Sequence, residues 1–279
     1  WQQIARRTGA QIAYFPLTAD GSFTEDAVEQ AIGPRTRIVA VSAMSNVTGY
    51  MPPVNAIVER AHAMGARVLL DGAQYVSHHP TDVSALGCDF LAFSGHKMCG
   101  PTGIGVLYGR MDALEEMDPF LFGGDMISRV TLDGATWAHI PERFEGGTPN
   151  IAGAIGIGTA ADYLLSVGPD AIVDHERRLS RKLRRALQEF DDLTVYGEAG
   201  EDPHGGIVSF NMDGLHPNDV GTLLDQQGIA VRTGFHCAQP FMDHFGITGT
   251  VRASLYLYNT EEEVDAFVHA LGRVRGVLG

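Results

Sequence analysis

The chain has 279 residues and a net charge of −14, from 34 acidic and 20 basic side chains. It is long enough for one large domain or two ordinary ones, and 44% apolar with 19% charged residues is a globular composition. The acidic balance argues against nucleic acid or an anionic membrane as the main partner, and three cysteines are too few for a disulfide scaffold. No apolar run reaches the about 18 residues a membrane span needs. No charged-then-apolar leader opens the chain, so a cytoplasmic location is expected. The chain starts at Trp1 rather than Met, which is expected of a segment of something longer.

Turn residues are frequent and no internal repeat stands out. Residues 1–8 read as a helix. Residues 37–43 (RIVAVSA) form a short apolar run, as a buried strand should. Residues 54–64 have helical spacing and stop at Gly65, a C-cap residue. Further strand-like runs cover 67–70, 89–93 and 104–108, ending at Asp71, at Ser94 and at Gly109. Strands alternating with helices predict an α/β domain with a mostly parallel sheet. After Pro149 the texture changes. Helices are expected over 152–165, 173–190 and 218–227, and strands over 193–196, 206–211, 229–233 and 251–256. Thr260 with Glu263 makes a capping box for a last helix over 261–274. This order predicts a second, smaller α+β domain, with the boundary near residue 165: a large domain over 1–165 and a small one over 166–279.

Ligands of parallel α/β sheets gather at the carboxyl ends of strands. Three polar clusters fall there: Ser45-Asn46, Asp71-Gly72-Ala73-Gln74, and Ser94-Gly95-His96-Lys97. Adjacent strands would bring Asp71 and Lys97 to one crevice. A lysine there can form a Schiff base with pyridoxal phosphate while an aspartate keeps the pyridine nitrogen protonated. Taken singly, Asp71 also reads as a strand-end cap, Lys97 as a surface lysine and His96 as a structural hydrogen-bonder. A fourth cluster runs from Arg232 through Phe235, His236 and Cys237 to Pro240. Cys237 lies in a loop, where a neighbouring Arg or His favours the reactive thiolate. Cys88 and Cys99 read as packed thiols. Without a CxxC pair a zinc site is not expected, and none is expected at the adjacent His78 and His79, since sequence neighbours rarely point at one ion.

Three stretches carry a resemblance: LLDGAQYVSHHPTDVSALGCDFLAFSGHKMCGPTGIGVLYG, RFEGGTPN and RTGFHCAQPFMDHFGITGTVRASLYLYNTEEEVD. Together they resemble SUF-type cysteine desulfurases, in the class V aminotransferase-like group of fold-type I pyridoxal-phosphate enzymes. The resemblance spans essentially the whole chain. It implies pyridoxal 5'-phosphate as cofactor, with Lys97 as Schiff-base lysine, Asp71 at the pyridinium, Gln74 at the phenolic oxygen, and Ser94 and His96 at the phosphate. Thr148 would reach the phosphate in a neighbouring subunit, which implies a homodimer. Arg252 would bind the substrate carboxylate, Asn46 would stand near cofactor and substrate, and Arg232 would flank Cys237, the sulfur acceptor. A strand-end salt bridge is the plainer alternative for Arg232.

The implied activity is conversion of L-cysteine to L-alanine. Sulfur stays on Cys237 as a persulfide, for transfer to an acceptor protein in iron–sulfur cluster assembly. Selenocysteine lyase is the enzymatic alternative, and a truncated, inactive scaffold or partner protein the alternative of another class. The family extends upstream of the residue matching Trp1, so an incomplete cofactor pocket and weak cofactor binding are expected of this chain alone.

Overall fold

The computed structural model describes residues 1–197 and 205–278. Helix α1 (Gln2–Thr8) is followed by α2 (Glu25–Ala31), whose N-cap Thr24 accepts from the Ala27 N–H. The first sheet then begins with β1 (Ile38–Ser42), followed by α3 (Val54–Ala63) and β2 (Arg67–Asp71). The short helices α4 (Tyr75–His78) and α5 (Val83–Leu86) lead to β3 (Phe90–Ser94) and β4 (Gly105–Gly109). The order is β1-β2-β3-β4, with β1, β2 and β3 parallel and β4 antiparallel. The register aligns Ser42 with Asp71 and Asp71 with Ala92, so β1 and β2 finish level and β3 runs on to Ser94 at the same edge. Val39, Val68, Leu70 and Leu91 meet Val28, Ile32, Ile57 and Ala61 in one buried cluster.

Helix α6 (Met111–Glu115) precedes a hairpin of β5 (Ile127–Val130) and β6 (Ala135–Trp137) that periodicity did not suggest. The long helices α7 (Ile151–Val167) and α8 (Pro169–Leu187) follow, and residue 165 falls in the last turn of α7. The second sheet, β7-β8-β10-β9, is antiparallel throughout. It is built from β7 (Leu193–Tyr196), β8 (Ile207–Met212), β9 (Arg232–Gly234) and β10 (Thr250–Ser254). Helices α8, α9 (Pro217–Asp225) and α11 (Glu261–Leu278) cover it, burying Leu179, Leu183, Leu224, Phe267 and Leu271 against Val208, Phe210 and Val251. Each such side chain contributes roughly 2 kcal/mol on leaving water. Helix α10 (Gln239–Phe245) follows the Cys237 loop.

Two strands of the second sheet are shorter than expected, and residues 255 and 256 lie beyond β10, which ends at Ser254. Residues 229–231 lie outside β9, which spans Arg232–Gly234. Gly228 takes a left-handed backbone (φ 76°), and the Ile229 N–H turns back to the Leu224 carbonyl at 3.0 Å. The C-terminus of α9 thus uses the donor that the strand would have needed.

Candidate active site

Asp71, Ser94 and the loop after β1 occupy the carboxyl edge of the first sheet, the expected ligand edge. Gly72 lets the chain turn there, since a side chain would meet the Leu91 Cδ1 atom at 2.8 Å. The Asp71 Oδ1 atom accepts the Ala73 N–H at 2.9 Å, so Asp71 does cap its strand. That hydrogen bond leaves the carboxylate charge without a cationic partner, and Asp71 forms no ion pair among the described residues.

Lys97 closes a single 3-10 turn, Gly95–Lys97, directly after β3. The Met98 and Gly100 N–H groups both donate to the Gly95 carbonyl, at 3.0 and 2.9 Å. Gly100 permits this approach, because an added Cβ would sit 2.8 Å from that oxygen. Lys97 is half-buried rather than freely exposed, and among the described residues its ammonium has no hydrogen bond or ion pair. The side chains of Gln74, Ser94 and His96 are likewise engaged by no other described residue. Cys99 departs from expectation. Met98 takes the buried place, the backbone turns left-handed at Cys99 (φ 61°), and its thiol is exposed, whereas Cys88 is packed.

The second sheet brings the Cys237 loop to the same edge. The Asn46 Nδ2 amide donates to the His236 carbonyl, and the Arg252 Nη1 donates to the Asn46 carbonyl at 2.9 Å. The Ser209 hydroxyl donates to the Val47 carbonyl at 2.6 Å, pinning β8 to the same loop. Cys237 is exposed, with Arg232 Nη2 3.5 Å from its Sγ. Arg232 forms no ion pair among the described residues, so its placement is that of a thiol neighbour and not of a strand-end salt bridge. Arg232, His236 and Cys237 line a pocket of about 640 Å³ with Asn218, Thr233, Phe235 and Pro240. Burial first, then the neighbouring Arg232, lowers the pKa of Arg252.

In the sequence His236 stands out only as a neighbour of Cys237; the structure gives it a buried, loop-holding place. Its ring is 1% exposed, with Nε2 2.8 Å from the buried Thr250 hydroxyl and 3.2 Å from the Thr250 carbonyl. A carbonyl only accepts, so Nε2 carries the hydrogen and Nδ1 is left as a bare, buried acceptor. Burial, and then Arg252 and Arg232, push the His236 pKa down to about 4, so the ring is neutral at physiological pH. Its nearness to Cys237 was the one visible signal. Thr148 stands apart: it is exposed, in the turn before α7, with no hydrogen bond to another described residue.

Comparison with known proteins gives a consistent picture. The aminotransferase class-V family model matches residues 1–267. A probable cysteine desulfurase of Halalkalibacterium halodurans is 50% identical over 279 residues, covering 100% of this chain and 68% of that protein. The chain belongs to the class-V aminotransferases, among the cysteine desulfurases. The crystal structure of the cysteine desulfurase CsdA from Escherichia coli superposes with a TM-score of 0.95 at 41% identity, covering 100% of this chain and 69% of that one. A structure of C-DES with glycine covalently linked to its PLP cofactor superposes at 0.83 with 29% identity, covering 98% and 69% of the two chains.

Pyridoxal phosphate is the cofactor of this group, and the donor set fits it. A carboxylate without an ion-pair partner ends β2 and an unengaged amine lies in the turn after β3, with an amide, a hydroxyl and an imidazole beside them that no other described residue engages. Those are the groups that a protonated pyridine, a carbonyl carbon, a phenolic oxygen and a phosphate require.

Proposed function

We propose that this protein converts L-cysteine to L-alanine and takes the sulfur onto Cys237. The observation that carries this reading is the Asn46 bridge. It joins the loop holding Cys237 and the strand holding Arg252 to the sheet edge that presents Asp71 and Lys97. When bound, pyridoxal phosphate supplies an electron sink that acidifies the substrate Cα–H and weakens the Cβ–S bond.

The chain supplies the rest. Asp71 would hold the cofactor's ring nitrogen protonated, Gln74 its phenolic oxygen, Ser94 and His96 its phosphate, and Lys97 its carbonyl carbon. The Lys97 amine then removes the proton from the substrate Cα and returns one to the product. Arg252 presents a planar fork that suits the substrate carboxylate. The Cys237 thiolate takes the sulfur as it leaves Cβ, and a proton replaces it there. Alanine and a Cys237 persulfide result, with no outside oxidant: one sulfur atom moves from substrate to enzyme. Arg232 steadies the anionic sulfur.

The persulfide then passes to a sulfur-acceptor protein, in the cytoplasm, for iron–sulfur cluster assembly. A homodimer completes the reading. Phe122 and Ile155, 67% and 68% exposed, give an apolar surface beside the turn carrying Thr148, suited to a second copy. The test is alanine formation from L-cysteine by the cofactor-loaded protein and by its Cys237→Ser variant. Cys237→Ser is expected to lose sulfur transfer while keeping the absorbance of the bound cofactor. Wild-type turnover in that variant would remove Cys237 from the reaction.

A further inference from the structure

Helix α8 buries one stripe: Ile172, Glu176, Leu179, Leu183 and Leu187. A carboxylate in such a stripe needs a partner. Glu176 is 1% exposed, and both its oxygens meet the His78 Nδ1 atom, at 2.8 and 2.9 Å. His78 closes α4, a helix of 4 residues that begins directly after Gln74. A helix that short has little stability of its own, so tertiary contacts set its place.

Tyr256, just beyond β10, is the other contact. Its ring stands edge-on to His78, with centroids 4.8 Å apart and planes at 66°. Its hydroxyl donates to the Ser77 carbonyl at 2.9 Å, and its own N–H donates to the Asn259 Oδ1 at 2.8 Å. On another side the ring packs in a buried cluster with Met98, Leu164 and Ile172. Burial foremost, then the Cys99 thiol, raises the pKa of its phenol, which keeps the hydroxyl a donor. Tyr256 therefore touches the turn that follows Lys97 and the helix that follows Gln74, from the segment just after the strand that carries Arg252.

We infer that Tyr256 is a positioning residue that locks the Lys97 turn to the Asp71–Gln74 turn, with the Glu176–His78 pair as its anchor. This rests on the reading that Lys97 and Asp71 serve one cofactor. Neither Tyr256 nor Glu176 touches substrate; both act by fixing the elements that do.

The test is Tyr256→Phe in the cofactor-loaded protein, which keeps the ring and removes the hydroxyl. Loss of the buried hydrogen bond from the Tyr256 hydroxyl to α4 should lower kcat for alanine formation about three- to tenfold, with KM for L-cysteine changed less than about twofold. The long-wavelength absorbance band of the bound cofactor should change in position or intensity, which a purely structural contact would not cause. Glu176→Gln, which keeps one acceptor for His78, should move both readouts the same way by less. If Tyr256→Phe does not fold, Glu176→Gln alone decides. Wild-type kcat and an unchanged band in the folded variant would overturn the inference. Wild-type protein with no cofactor band and no alanine would instead overturn the functional reading.

Discussion

His236 holds the Cys237 loop with a ring that cannot afford a proton. Its Nε2–H is committed to Thr250, and a charge on it would face both Arg232 and Arg252. The sign of the linkage follows. The folded pKa of about 4 lies below the unfolded 6.5, so the unfolded chain binds the proton more readily between those values. Stability from this group is full above about pH 6.5 and is lost as pH falls toward 4, by up to roughly 3 kcal/mol. The urea midpoint should therefore drop between about pH 7 and about pH 5, and His236→Gln should flatten that drop; an equal drop in the variant would assign it to other groups. At this scale much of the site was legible in the chain. Asp71, Lys97 and Cys237 announce themselves because each ends an apolar run with a reactive group. His236, Tyr256 and Glu176 do not, because burial and long-range partners give them their roles. Glu176 sits inside a charged helix like any solvated glutamate, and only the packed stripe of α8 marks it out.

Elements were legible where local chemistry decides them. The capping box forms at α11: the Thr260 Oγ1 accepts the Glu263 N–H at 3.3 Å, and the Glu263 Oε2 accepts the Thr260 N–H at 3.0 Å. Thr260→Ala should destabilise the protein by about 1 kcal/mol, read as a lower urea midpoint, while leaving alanine formation unchanged. No loss of stability would mean that Asn259, which also holds Glu263 at 2.9 Å, carries the cap alone. Elements were missed where tertiary contact decides. The β5–β6 hairpin has only 4 and 3 residues per strand, too few for a period. Strand β9 loses its first residues to the end of α9 because Gly228 reverses the chain there.

On the scale of the whole molecule, two sheets meet at one loop. Residues 45–50 leave β1 and receive hydrogen bonds from Ser209, from Arg252 and from Arg184. The parallel sheet supplies the groups suited to a cofactor, and the antiparallel sheet supplies the thiol and the guanidinium forks. That division was legible in the order of strands and motifs; the loop that joins the halves was not, because Asn46 reaches across 190 residues of chain. The exposed apolar surface around Phe122 and Ile155 predicts a dimer in sedimentation equilibrium, weakened by Ile155→Asp; a monomer at all concentrations would oppose it. Sulfur transfer to Cys237 is read directly by mass spectrometry of the cofactor-loaded protein after one turnover with L-cysteine and no reductant. One added sulfur on the peptide containing Cys237, matched by one alanine, is the predicted result. Alanine formed with the Cys237 peptide unmodified would remove Cys237 as the sulfur acceptor.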